Sequence, residues 1–390
     1  MKIVDISFDS ERILTAAADF QGLDDFGDPA FKAGLAALLC TYDSHVNDTA
    51  SRQRVYMRVL KVLGARLRVE QAKKIHSEIA DEKITKPMIL TGLPRTGTSA
   101  LFNLLSVDPA SRALLQWETH YPDPMEGLSS GEMDPRHRKL VEKIESQRAQ
   151  NPEFQTMHFA SADTPEECVL LHSLAFNGVQ LGFECMLEPY QSWHQSSDLL
   201  PMYQYYIDLL KMLQWRKPGD RWLLKAPAHM WGLDSLIHVM PDACILWGHR
   251  DPLQVIPSIS SLTAMAAKMF AGNIPAMTKD RLGPLVMEFY ARSLERGIAT
   301  RADMPSHHFY DYRFIDFVET PLSLINGAYD FFELPMQQSL SRDFSQYIQQ
   351  HPKGQHGAHR YSFEEFGLTE AMILERFDFY YQHPQYCQYL

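Results

Sequence analysis

No run of about 18 apolar residues occurs in this 390-residue chain, so no membrane span is expected. Cysteine is sparse: Cys40, Cys168, Cys185, Cys244 and Cys387 lie far apart, with no Cys-x-x-Cys pair and no zinc spacing. An odd, scattered set argues against a disulfide framework and for reduced, cytosolic thiols, hence a cytoplasmic location. Excess positive charge is missing as well. The formal net charge is −11 and the sequence pI is about 5.8, so there is no basic face to displace counterions from a nucleic acid, and no such partner is expected. Repeats of fixed period and low-complexity runs are absent. The first ten residues include two acids and no long apolar core follows them, so a secretory signal is not expected, and Met1-Lys2 opens no lipidation motif. No cluster of His, Cys, Asp or Glu has metal-ligand spacing, so no metal is expected.

What remains is the composition of an ordinary globular protein, 45% hydrophobic and 22% charged, long enough for one large domain or two smaller ones. Apolar residues recur every three or four positions across 29–80, which predicts a helical N-terminal segment (1–86) packed on a main domain (87–390). An α/β pattern begins at "KPMILTGLP", with further strands expected at "RWLLKAP" (221–227), "ACILWGHRDP" (243–252) and "SHHFYDYRFIDF" (306–317). The helical spacing of "HMWGLDSLIHVM" between two of them reads as a βαβ crossover, hence a parallel sheet flanked by helices. Residues 123–220 read as a mainly helical insertion forming a lid over the sheet's carboxyl edge, where α/β ligands bind. Within it, "TPEECVLLHSLAF" reads as a helix begun by a Thr cap with glutamates in its first turn.

Residues 88–109, "MILTGLPRTGTSALFNLLSVDP", read as a buried strand, a small-residue turn and a helix. Backbone N–H groups at such a helix start bind anions, helped by the macrodipole. Gly97 permits close approach, Thr96, Thr98 and Ser99 add hydroxyls, and Arg95 adds a forked cation suited to a phosphate or sulfuryl group. The loop lacks the Gly-Lys-Ser/Thr ending of the ATP-binding phosphate loop. With no lysine for a β/γ-phosphate pair and no clear Mg²⁺ position, a kinase or NTPase is disfavoured. A nucleotide bearing a 5′-monophosphate or phosphosulfate fits better.

The stretch "GLPRTGTS" resembles the 5′-phosphosulfate loop of the sulfotransferase superfamily, in the bacterial branch whose loop reads Pro-Arg-Ser/Thr-Gly-Thr. That resemblance implies a P-loop-like α/β fold and 3′-phosphoadenosine 5′-phosphosulfate (PAPS) as co-substrate, with Pro94, Arg95, Thr96, Gly97, Thr98 and Ser99 around its 5′ end. Independently, "GHRDPLQVIPSISSL" puts Arg250 at a strand end and Ser258 in the following helix, which Asp251-Pro252 would start. An arginine and a serine so placed can clamp one phosphate, and the pair resembles the family's 3′-phosphate motif. The late stretch "KGQHGAHRYSFEEFGL" resembles, less closely, a basic loop that folds over the nucleotide, which would add His359, Arg360 and Tyr361. The resemblance spans 88–366.

Sulfuryl transfer needs positioning, a cation for the leaving phosphate oxygen and a base for the acceptor's proton. Lys225, ending a predicted strand, resembles the family's catalytic lysine. Three residues compete as base. Glu118 follows Arg95 at a spacing used by several branches. His229 lies four after Lys225, where cytosolic branches have a histidine two after it. His158 precedes Glu166 and Glu167 in the suspected lid. Trp193, Tyr203, Tyr205, Tyr206, Trp231, Met265, Met269 and Phe270 could wall an apolar acceptor pocket, although core packing explains most such residues better. His249, just before Arg250, reads as a packing or orienting residue. The expected activity is direct transfer of a sulfuryl group from PAPS to a hydroxyl or amine of a small-molecule acceptor. A kinase-like phosphotransferase and an inactive nucleotide-binding module remain as alternatives. Neither the acceptor nor the oligomeric state is fixed by the sequence, and a homo-oligomer stays open.

Overall fold

The computed structural model describes residues 6–128, 132–150, 161–183, 186–272, 274, 277–351 and 362–390. Five parallel strands form one sheet in the order β2-β3-β1-β4-β5. They are β1 Met88–Gly92, β2 Ser111–Ala113, β3 Arg221–Lys225, β4 Cys244–His249 and β5 Phe309–Arg313. Four lie where alternation and turn signals put them. The edge strand β2 has only three residues, too few to show a period. The crossover read from 221–252 exists, but β3 and β4 do not pair with each other: β1 lies between them.

Three helices precede the sheet. α1 (Ser10–Gln21) starts at Asp9, whose carboxylate accepts from the Arg12 N–H, and stops at left-handed Gly22. α2 (Phe31–His45) and α3 (Thr49–Ile75) follow, α3 being capped by Asp48. They form a second core with Phe176, Leu181, Leu187 and Tyr190, while Ala65, Val69 and Ala72 of α3 join the main core. Beyond β1 come α4 (Thr98–Leu105), α5 (Gln116–His120) and α6 (Pro135–Gln150). The longest helix of the insertion, Leu200–Arg216, buries Tyr203, Tyr206, Leu209, Leu210 and Leu213 in the main core, so this element is part of the domain's interior. The helix expected from Thr164 begins only at Val169. Thr164 pairs instead with the Ser161 hydroxyl, and Pro165 bridges to Leu115, which holds 161–168 as a non-helical strip across the strand ends.

Strand alternation divides the core between the two faces of the sheet. Ile89, Leu224, Ile245 and Trp247 face the main core. Met88, Leu90, Leu223 and Leu246 face a second layer built on α4 and the helices Pro321–Phe331 and Gln338–Gln350. Strands buried on both faces read as continuous apolar runs, which is why "MIL" and "CILW" carry no polar alternation.

At the carboxyl edge, Gly92 pairs in register with Gly248. Gly92 has φ +113°, and a Cβ there would stand 2.4 Å from the Gly248 carbonyl oxygen. Both the dihedral and the close approach therefore require glycine. Gly92→Ala should cost about 3 kcal/mol, combining strain and overpacking. Urea unfolding checks this; a loss below about 1 kcal/mol would contradict the contact.

Candidate active site

The turn after β1 runs from Leu93 to Gly97. Pro94 is buried in it, and Thr96, fully buried, donates its hydroxyl to the Leu93 carbonyl. Thr96 thus shapes the loop from inside rather than facing a ligand. Arg95 adopts φ +63° and Gly97 φ +75°, and Arg95 projects its side chain outward. Gly97 occupies the N-cap of α4 and offers no side chain to the first N–H groups. Those donors are left for another acceptor. Thr98 is buried at the first helical position and Ser99 is exposed at the second.

The loop does not stand alone. Arg95 Nε donates to the Ser258 hydroxyl at 3.0 Å, and Arg250 Nη1 donates to the Arg95 carbonyl at 2.6 Å. Arg250 also reaches the Gln254 amide oxygen and lies 4.1 Å over the Phe314 ring. Asp251 caps the helix Pro252–Phe270, accepting from the Leu253 N–H, and that helix carries Ser258. The residues read as two separate anion sites are therefore one hydrogen-bonded group. Its donor set of two guanidinium groups, a hydroxyl and an uncapped helix start suits a ligand with two anionic ends. His359, Arg360 and Tyr361, together with Lys353 and Gly354, lie outside the described residues.

A second cluster adjoins the same helix start. Lys225, at the end of β3 and level with Leu90, is buried. Its ammonium donates to the Ser99 hydroxyl at 2.9 Å and pairs with the Glu167 carboxylate at 2.8 Å. Glu167 is held there because the strip 161–168 bonds to the strand ends: Glu166 N–H to the Leu114 carbonyl and Cys168 N–H to the Lys225 carbonyl. The Glu167 side chain keeps about a third of its surface, so it is reachable from outside. The sequence reading placed Glu167 in a helical first turn and gave it no role. The available signal was a pair of adjacent glutamates directly before an apolar run.

The residues considered as base stand elsewhere. Glu118 is 2% exposed, and both its oxygens are used. One accepts from Arg112 Nη2 at 2.7 Å and the other from the Leu115 N–H at 3.0 Å. Arg112 further donates to the Lys217 and Leu213 carbonyls and lies over the Trp222 ring. This carboxylate is fixed by a buried ion pair and by the start of α5. His229 is fully buried among His172, Tyr203 and Tyr206; its Nδ1 is hydrogen-bonded to the Tyr203 hydroxyl, and burial pushes its pKa down to about 3. A ring so placed and so weakly basic is unsuited to receive a proton from an external acceptor. His158 lies outside the described residues. Tyr203, Tyr205, Tyr206 and Trp231 belong to the main core and Trp193 packs on the second core, so their aromatic surface is spent on packing.

His249 orients the strand end, as its position suggested. It is fully buried, and burial lowers its pKa even though Asp311 opposes that shift. The neutral ring donates from Nε2 to Asp311 at 2.7 Å and accepts at Nδ1 from the Tyr380 hydroxyl at 2.6 Å. Arg301 grips both Asp311 oxygens with its two terminal nitrogens, at 2.6 Å each, Oδ1 being shared with His249. Burial alone would raise the Asp311 pKa; the bonds from Arg301 and His249 outweigh it and bring it down to about 2.

A model of the sulfotransferase family matches residues 87–338. Among solved structures, sulfotransferase STF1 from Mycobacterium tuberculosis H37Rv is 29% identical with a TM-score of 0.84, over 96% of this chain and 99% of that one. Sulfotransferase STF9 from Mycobacterium avium is 25% identical with a TM-score of 0.87, over 98% of each chain. A search of curated proteins gives no match. Among the described residues no group of three or more His, Cys, Asp or Glu could hold a metal ion, and no helix is long and apolar enough to cross a membrane.

The Asp311 cluster makes a stability prediction. A carboxyl lowered from 3.8 to about 2 contributes about 2 kcal/mol above pH 4, and this is lost as the pH falls from about 4 to about 2. Asp311→Asn should be less stable than the parent by at least that amount at pH 7, with the gap closing through the same window. Urea unfolding at successive pH values measures it, and a gap that stays constant down to pH 2 would contradict the assignment.

Proposed function

This chain belongs to the sulfotransferase family, and on that premise we propose that it transfers a sulfuryl group from PAPS to a hydroxyl of a small-molecule acceptor. The observation that carries the reading is the union of Arg95, Arg250 and Ser258 at an uncapped helix start, with the Lys225–Ser99–Glu167 cluster against the first turn of the same helix. PAPS, when bound, supplies an already activated sulfuryl group.

The protein's own residues then have separable tasks. The α4 N–H groups and the Arg95 guanidinium hold the 5′ end, and Arg250 with Ser258 holds the 3′-phosphate, through charge-assisted hydrogen bonds. Lys225 holds a positive charge beside the helix start, where negative charge grows on the departing phosphate oxygen. Glu167 is the base in this reading. Its carboxylate is oriented by the Lys225 ammonium, remains reachable, and takes the proton of the acceptor hydroxyl. Glu118, paired with Arg112, has a structural task in this reading.

Nucleotide binding and chemistry can be tested apart. Adenosine 3′,5′-bisphosphate should raise the melting temperature more than ATP with Mg²⁺ does, and the reverse ranking would overturn the donor assignment. Arg95→Ala and Arg250→Ala should each weaken bisphosphate binding about tenfold or more. Glu167→Gln should lower kcat for transfer of labelled sulfate to a phenol panel by about a hundredfold or more, leaving bisphosphate affinity within about twofold. If Glu167→Gln keeps full kcat while Glu118→Gln folds normally and loses it, the base is Glu118.

A further inference from the structure

The segment that fixes Arg250 from behind comes from the far end of the chain, beyond the residues that the family model matches. Tyr380 and Tyr381 are neighbours in the short helix Asp378–Tyr381. The Tyr380 hydroxyl is bonded to His249 Nδ1, and the Tyr381 hydroxyl donates to Asp251 Oδ1, each at 2.6 Å. Adjacent tyrosines thus reach the two residues on either side of Arg250. Asp251 Oδ1 also accepts from the Leu253 N–H, so the Tyr381 bond acts on the cap of the helix that carries Ser258. Tyr386 and Tyr389 stack on the His249 ring at centroid distances of 5.4 and 4.7 Å, completing its burial.

We infer that the C-terminal tyrosine pair is a positioning device for the 3′-phosphate site: Tyr380 and Tyr381 set the place of Arg250 and Ser258, and so govern discrimination for a 3′-phosphorylated nucleotide. The inference rests on the reading of Arg250 and Ser258 given above. Its physical basis is pre-organisation. An arginine whose flanking residues are both fixed loses less freedom when it binds a phosphate than one on a loose turn. Both bonds end on the backbone neighbourhood of Arg250, and neither tyrosine touches the Lys225 cluster through any described hydrogen bond. The pair should therefore act on nucleotide binding and not on the transfer step.

The test compares adenosine 3′,5′-bisphosphate with adenosine 5′-monophosphate, which lacks the 3′-phosphate. Tyr381→Phe, at a half-buried position, should weaken bisphosphate binding about fivefold and leave monophosphate binding within about twofold. The KM for PAPS should rise similarly with kcat within about twofold. Tyr380→Phe should act in the same direction; should that buried substitution prevent folding, Tyr381→Phe carries the test. Equal weakening of both nucleotides, or no change in either, overturns the inference and leaves the tyrosines a purely structural role. Arg250→Ala is the control for the underlying reading. If that variant still prefers the bisphosphate as strongly as the parent does, the assignment of the 3′-phosphate site falls first, on an observation independent of the tyrosines.

Discussion

The pairing of β1 with β4, closed at Gly92 opposite Gly248, is the constraint from which the site's geometry follows. Two strands that meet glycine to glycine at their carboxyl ends bring the turns that leave them into contact. One turn carries Arg95 and the other Arg250, and a single hydrogen bond from the second side chain to the first backbone joins them. A side chain at Gly92 would stand 2.4 Å from the Gly248 carbonyl oxygen and push the two strand ends apart. β3, on the other side of β1, delivers Lys225 level with Leu90, within reach of Ser99 at the start of α4. Three adjacent strands thus feed one helix N-terminus, which is the general logic of ligand binding at the carboxyl edge of a parallel sheet.

Around this edge the protein buries several ion pairs, and they differ in how far each partner is shut off from solvent. Arg112–Glu118 and Arg301–Asp311 are dry, multiply bonded and shut off from solvent on both partners. Burying such charges costs enough that removing one partner is severe, while the pair itself adds little over apolar packing. Lys225–Glu167 differs in having one buried and one accessible partner. In the proposed reading this is the pair that meets the acceptor: exposure, more than the presence of charge, separates Glu167 from Glu118.

The same contrast explains what could be read from the residues in order. The strands, the turn at Arg95 and the helix start at Asp251-Pro252 are local features, set by alternation, glycine and capping chemistry within a few residues of one another. They were legible, as was the assignment of Lys225 to a strand end. The strip carrying Glu167 was not. Its Thr-Pro-Glu-Glu opening has the form of a helix start, and tertiary hydrogen bonds to Leu114 and Lys225 prevent that helix. Glu118 carried a spacing that suits a base, and its pairing with Arg112 is a tertiary contact that spacing alone did not reveal. The aromatic residues of 193–231 could equally have walled a pocket; only packing against the sheet shows that most of them are core.

The early position of the cation in the loop has a conformational reason. Arg95 is left-handed, as is Gly97 two residues later, and alternating backbone hands of this kind turn successive N–H groups inward toward one point. A non-glycine residue in that region costs on the order of 1 kcal/mol and persists only when its surroundings hold it. Here the surroundings are its own reading partners: Ser258 on the side chain and Arg250 on the carbonyl. A lysine at the end of the loop, as in ATP-binding proteins, would place a point charge at the helix start alone. An arginine at the apex reaches across to the helix Pro252–Phe270, so Arg95 joins the two halves of the group, through its guanidinium to Ser258 and through its carbonyl to Arg250. On the proposed reading, a nucleotide phosphorylated at two separated positions would engage both halves, whereas one carrying all its charge in a single chain would engage one and leave the other bonded to itself.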